Sequence, residues 1–302
     1  MEVKKKSFIA DMSLLVTAIL WGGGFVGVKD ALETIEPLHL NAIRFSLAGI
    51  ILSLIFLKRI KKVSRQDLKA GLIVGILLFA GFVAQTVGMK YTSPGKNAFL
   101  TGLNVVMVPF FYWALIKKFP GWQTIVAALL SFVGIGFLTL QNGSIVMNFG
   151  DLMTILCAVF FAIQIIAIGH YAKNMDTMVL ATLQMLVAAV LSVISAVLFE
   201  PSMPLSNINR GNIYSIGYLV VFSTMIAFLI QNTAQKYTLS THAAIILCME
   251  SVFGSIFSVI FLKEIFSPSM IIGCAVIFVA IILSEVKIEF KNKKICRETL
   301  SE

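Results

Sequence analysis

Gln85–Thr92 reads QTVGMKYT, and Gln231–Thr238 reads QNTAQKYT. Four of the eight positions agree (Gln, Lys, Tyr, Thr) at a separation of 146 residues in a chain of 302. Each copy closes a long apolar run, so the spacing predicts one membrane-embedded unit written twice, a plan that places binding sites between the halves. The agreement extends outward. At an offset of 140, Asp11 pairs with Asp151, Ala18 with Ala158 and Ala48 with Ala188. At an offset of 146, Phe82 pairs with Phe228, Ala98 with Ala244, Val106 with Val252 and Lys117 with Lys263. The change of offset falls around Pro201–Gly211, a connection where insertion costs little.

Hydrophobic residues make up 58% of the chain and charged ones 13%, far from the mixture of a soluble domain. Apolar runs at 12–29, 38–57, 68–89, 97–116, 122–140, 150–170, 178–199, 213–234, 243–262 and 269–285 are long enough for a hydrocarbon core roughly 30 Å thick. They predict an all-α integral membrane protein of ten transmembrane helices, because backbone groups in lipid must be satisfied within their own segment. Little chain is left for a separate soluble domain. Five spans per half is an odd number, so the second half enters the membrane from the opposite side. The expectation is two inverted five-helix repeats.

The net charge of +9 reads as a topology signal and not as a nucleic-acid surface. With the N-terminus cytoplasmic, inner segments hold 18 of the 24 basic residues and outer segments five (Lys29, Lys90, Lys96, Arg210, Lys263), with Arg44 alone inside a span. That bias places both termini in the cytoplasm, with anionic lipid headgroups as secondary partners. The first apolar run lacks a small-residue cleavage site and belongs to the repeat, so it reads as a span. Cys157, Cys248 and Cys274 fall in spans and Cys296 in the tail; they form no metal-ligand spacing and read as packing residues. Neither a Gly-rich phosphate loop nor a hydrolase or zinc motif is present, so ATP-driven transport by this chain alone, and any cofactor, are not expected.

Polar residues inside apolar runs carry the functional reading. Arg44 and Glu250 each cost roughly 2.5–3.5 kcal/mol on insertion scales and should avoid lipid. Glu250 aligns with Asn104 and is expected to line a cavity or carry a coupling proton. Arg44 lies shallow enough to snorkel toward the outer face, a structural charge. Asn97, Thr101 and Asn104 fall at i, i+4 and i+7 on one helix face. Gln231 and Gln235 share a face, Gln85 holds the equivalent one, and Gln164 lies mid-span. Any one of these serves helix packing; together, at symmetric positions, they predict a polar central cavity, with Trp21 lining it and seeking a partner for its indole N–H. Small-residue pairs at Gly23/Gly27 and Gly71/Gly75 predict close helix contacts. Lys90–Tyr91 and Lys236–Tyr237 read as interfacial anchors. Asp11 and Asp151 read as N-terminal helix caps. His39, His170 and His242 stand near span ends without relay spacing.

The stretches LWGGGFVGVK (Leu20–Lys29), IRF (Ile43–Phe45), QTVGMKYTSPGKNAFLTGLNVVMVP (Gln85–Pro109) and QNTAQKYTLSTHAAIILCMESVF (Gln231–Phe253) resemble the drug/metabolite transporter superfamily and, within it, EamA-type transporters. The resemblance covers nearly the whole chain. It implies EamA-type repeats at 1–143 and 148–286, followed by a basic cytoplasmic tail at 287–302. It also implies an inner-membrane carrier, commonly an exporter of amino acids, related metabolites or drugs, with a cavity lined by spans 1, 3, 4, 6, 8 and 9. Two departures stand out. Glu250–Ser251 replaces a frequent Glu-Pro, which removes an expected helix kink, and Lys117–Lys118 stand where an acidic residue is common, although Glu264 keeps it in the second half. The expected function is alternating-access transport of a small polar or zwitterionic solute or drug. A passive channel and a polytopic membrane enzyme are the competing classes. Substrate, direction and self-association as a homodimer stay open.

Overall fold

The computed structural model describes residues 2–92, 94–139, 147–201, 210–262 and 268–285. Lys263, Glu264 and the basic tail at 287–302 lie outside them. The described residues form helices: α1 (Glu2–Ala31), α2 (Pro37–Ile55), α3 (Leu57–Ile60), α4 (Arg65–Tyr91), α5 (Pro94–Gly102), α6 (Asn104–Ile116), α7 (Trp122–Thr139), α8 (Phe149–Tyr171), α9 (Thr177–Phe199), α10 (Arg210–Tyr218), a π-helical segment (Leu219–Ile226), α11 (Ala227–Ala234), α12 (Ser240–Leu247), α13 (Met249–Leu262) and α14 (Pro268–Glu285). Among the described residues, eight helical stretches are long and apolar enough to cross a membrane, and two shorter apolar helices, Trp122–Phe137 and Ile271–Leu283, stand at the fifth and tenth sequence runs.

Capping sets several helix starts. Ser64 and Asp67 form a capping box on α4, and Asn148 and Asp151 form one on α8, each satisfying two orphan amides. Asp11 does not cap, contrary to expectation. The Lys-rich leader is itself helical, so α1 begins at Glu2 and Asp11 sits inside it, 5% exposed.

Two spans are broken at matching places. Leu103 separates α5 from α6, and Cys248 separates α12 from α13. Each break is a tightened turn: Val106 N–H donates to Leu103 O and Ser251 N–H to Cys248 O, both at 3.1 Å. The helix is therefore interrupted at this point without Glu-Pro, and Cys248 Sγ donates to Ile245 O at 2.8 Å.

The surface is apolar and the interior holds the polar groups. Leu54, Val197 and Phe199 are exposed, whereas Asn41, Thr86, Thr154, Gln184 and Asn232 are buried. This inversion suits a lipid solvent. The main helix contacts join the two halves: α4 with α8 and α9, α2 with α9, α1 with α13 and with α10–α11, and α7 with α14. Each contact has a counterpart when the halves are exchanged. Small residues permit the approach. A Cβ on Gly75 would lie 2.6 Å from Val187 Cβ, and one on Gly71 would collide with Leu183, so this pair seats α4 on α9.

Candidate functional site

The π-helical segment organises one wall of the site. Its wider turn lets Thr224 Oγ1 donate to Leu219 O at 2.7 Å, five residues back. Within the same segment, Ser223 O accepts from Trp21 Nε1 at 3.0 Å. The same carbonyl accepts from Arg44 Nη2 at 3.3 Å, and Ser223 Oγ accepts from that nitrogen at 3.0 Å. Arg44 Nε also donates to Thr224 Oγ1, and the guanidinium carbon stands 4.5 Å from the Phe82 ring centroid. Arg44 is 3% exposed. It points inward and does not snorkel, because three acceptors and an aromatic face replace its hydration.

The surrounding wall is aromatic. Trp21 and Phe228 lie 5.2 Å apart, Phe82 and Phe161 5.3 Å, and Phe82 and Phe228 6.0 Å, at tilted or edge-on angles. Together these groups enclose a cavity between the halves, with about 50 Å³ of free space. Of the side chains singled out in the sequence, Trp21, Arg44, Gln85, Asn104, Gln164, Gln231 and Glu250 line it. The helices that contribute are those of spans 1, 3, 4, 6, 8 and 9, with α2 added through Arg44.

Three of the candidates lie outside the lining. Asn97 Nδ2 donates to Thr154 Oγ1 at 2.9 Å and to Gln85 O at 3.2 Å. Thr101 Oγ1 accepts from Gln85 Nε2 at 3.3 Å. Gln235 Nε2 donates to Ile165 O at 2.9 Å. These bonds hold α4, α5, α8 and α11 together. The break at Leu103 is what divides the Asn97–Thr101–Asn104 stripe between packing and cavity.

Gln231 is different. It is wholly buried, it lines the cavity, and neither its Nε2 nor its Oε1 has a hydrogen-bond partner among the described residues. An orphaned buried amide costs about 1–3 kcal/mol per unsatisfied group. Glu250, 8% exposed and facing the same space, makes no salt bridge among the described residues, and neither does Arg44. One acidic group, one cation and one unsatisfied amide therefore converge on a space walled by aromatic rings. His, Cys, Asp and Glu side chains form no metal-binding cluster among the described residues.

Sequence reading did not anticipate Phe25, Phe82, Phe161 and Phe228 as lining residues, or Ser223. Phenylalanine in an apolar run carries no periodic signal that separates cavity from lipid. Phe82 and Phe228 were nonetheless marked by the repeat.

The family model of EamA-like transporters matches the chain twice, at residues 8–140 and 148–285. The chain belongs to this family. It is 34% identical over 283 residues to an uncharacterized transporter of Archaeoglobus fulgidus, covering 94% of this chain and 88% of the relative. It is 22% identical to the S-adenosylmethionine/S-adenosylhomocysteine transporter of Chlamydia muridarum, covering 88% and 90% of the two chains. A crystal structure that is 19% identical superposes with a TM-score of 0.76 over 91% of this chain and 96% of that one, a likeness of fold. This EamA-family protein is thus a transporter whose helices bury a polar, aromatic-walled cavity.

Proposed function

We propose that the protein is a secondary transporter that moves a small zwitterionic metabolite across the cell membrane by alternating access, as an exporter. The two EamA-type halves, inverted relative to one another with both termini in the cytoplasm, rock about the central cavity. Gln231 carries the reading. An amide held wholly buried without a partner is a cost that folding alone gives no reason to keep, and a ligand in the cavity would satisfy it. Arg44 offers a partner for a carboxylate, Glu250 for an ammonium group or a coupling proton, and the rings of Trp21, Phe82, Phe161 and Phe228 for an apolar or cationic remainder. The named activity of the Chlamydia relatives fits these poles, since S-adenosylmethionine joins an amino-acid head to a sulfonium and an aromatic base. A space of about 50 Å³ holds water and no such solute, so loading requires the cavity to widen.

The test is counterflow in proteoliposomes preloaded with methionine, phenylalanine or S-adenosylmethionine, alongside thermal stabilisation by the same compounds. Saturable counterflow with at least one zwitterion, weakened when its carboxylate is esterified, is the expected result. Flux that does not saturate and shows no counterflow would instead identify a passive channel.

A further inference from the structure

The Thr that ends each copy of the opening motif takes part in a second symmetric construction, away from the cavity. At the end of the bundle where α4 finishes and α8 begins, Asp151 is 0% exposed. Its Oδ1 accepts from Thr92 Oγ1 at 2.9 Å and its Oδ2 from Lys96 Nζ at 2.6 Å. At the opposite end, Asp11 Oδ1 lies 3.5 Å from His242 Nδ1, and Thr238 Oγ1 lies 3.0 Å from the same nitrogen. The members correspond one for one: Thr92 to Thr238 and Lys96 to His242 at an offset of 146, Asp11 to Asp151 at 140. Each clamp joins the two halves. One fastens the α4–α5 turn of the first half to α8 of the second, and the other fastens α1 of the first half to the α11–α12 turn of the second. Relative rotation of the halves about the cavity must strain one or the other. Both contacts are present here, Asp151–Lys96 as a 2.6 Å hydrogen bond and Asp11–His242 as an approach of 3.5 Å at ion-pair distance.

We propose that these clamps are the two gates of the transport cycle, and that the Asp11–His242 gate is closed by acid on its own face while the Asp151–Lys96 gate is indifferent to pH. The two differ in one chemical respect. A lysine ammonium keeps its charge through the physiological range, whereas imidazole is the side chain whose ordinary titration falls between about pH 5 and 8. Protonated, His242 forms a charge pair with the Asp11 carboxylate, and the halves are held together at this end. Neutral, it offers one hydrogen bond, and the clamp loosens. The Asp11–His242 contact is therefore expected to hold the halves more tightly at pH 5.5 than at pH 8.

At this end of the elements packed around His242 the other titratable groups are Lys6 on α1, Lys236 and Tyr237 in the α11–α12 turn, Tyr112 on α6, and His170 and Tyr171 on α8, while Lys29 and Asp30 of α1 and Asp151 and Cys157 of α8 lie farther along their helices. Among the described residues, α7 brings no titratable residue, α14 brings Cys274 and ends at Glu285, and α13 brings Glu250 about 12 Å farther along the span. Within this set Asp11 is the acidic group that meets the imidazole at ion-pair distance.

The inference goes beyond the transport reading and is tested without any substrate. Amide hydrogen exchange is measured on the intact protein in nanodiscs at pH 5.5 and 8, normalised for the intrinsic pH dependence of exchange. The segment 236–243 is expected to lose protection roughly two- to fivefold at the higher pH, the range of a single ion pair, while 90–97 stays constant. His242→Lys removes the change and keeps 236–243 protected at both values. Lys96→His transfers the pH dependence to 90–97. His242→Asn, neutral throughout, gives the loosened level at both values and covers the case in which the lysine variant fails to fold, as checked by circular dichroism. A pH response at 236–243 that survives in His242→Lys or His242→Asn, or a Lys96→His variant without a response at 90–97, would overturn the proposal. Because no solute is present, neither result bears on whether a zwitterion is carried.

Discussion

Gly22 offers the sharpest test of how the cavity is held at its present size. It lies on α1 directly after Trp21 and faces α13, the helix that carries Glu250. A Cβ at this position would stand 2.6 Å from Phe253 Cβ, 2.8 Å from Gly254 N and 2.9 Å from Phe253 C. Two of these atoms are backbone, so no rotamer change relieves the collision. Ordinary contact begins at 3.4 Å, so Gly22→Ala must part α1 from α13 by about 0.8 Å. Overpacking of this kind costs about 1–3 kcal/mol, and replacing a mid-helix glycine returns about 0.5–1 kcal/mol, leaving a net loss of up to about 2.5 kcal/mol, centred near 1 kcal/mol. Gly217 on α10 is the matched control: a Cβ there meets nothing within 4 Å, so Gly217→Ala should be neutral or stabilising. Unfolding in mixed micelles, followed by circular dichroism, measures both variants on one scale. If Gly22→Ala proved as stable as Gly217→Ala, the close α1–α13 approach, and with it the reasoning about the cavity wall, would be wrong.

Three further outcomes follow from the site. Gln231→Leu should raise stability by about 1 kcal/mol or more, by removing an orphaned amide, while abolishing counterflow; a destabilised variant would show that the amide has a partner after all. Arg44→Gln should weaken binding of a zwitterion about 10- to 150-fold, the equivalent of a charge-assisted hydrogen bond of about 1.5–3 kcal/mol, while leaving binding of the ester nearly unchanged, as read by thermal shift. Glu250→Gln should make transport insensitive to an imposed pH gradient; a gradient that still drives accumulation in this variant would remove Glu250 from any coupling role.

Much of this was legible in the chain, for identifiable reasons. Apolar runs locate membrane helices because lipid leaves the backbone no alternative, and the runs coincide with the helices to within a few residues, apart from the early start of α1. Polar residues in apolar runs find the cavity because burial among helices is the arrangement lipid permits. That logic reached Trp21, Gln85, Asn104, Gln164, Gln231 and Glu250. It did not separate them from Asn97, Thr101 and Gln235, since a side chain that bonds a neighbouring helix and one that faces a cavity sit at the same depth and on the same face. Arg44 was misdirected outward because its acceptors, Ser223 and Thr224, are 179 and 180 residues away in sequence. The π-helical turns that aim those acceptors lie in LVVFSTMI, where Ser223 and Thr224 are adjacent in an otherwise apolar run that gives no local signal of a wider turn.

Those π turns have a consequence for the energetics of the cycle. The counterpart of that span in the first half, α4, is α-helical from Arg65 to Tyr91, so exchanging the halves does not return the same molecule. A transporter built from two equal halves would have mirror-image end states of equal free energy, and only solute or ion gradients would choose between them. Here one half carries an over-wide turn with a carbonyl, that of Ser223, that accepts from the tryptophan and arginine of the other. Under the proposed alternating-access cycle, inward- and outward-facing states are therefore expected to differ in free energy in the resting protein, before any solute arrives.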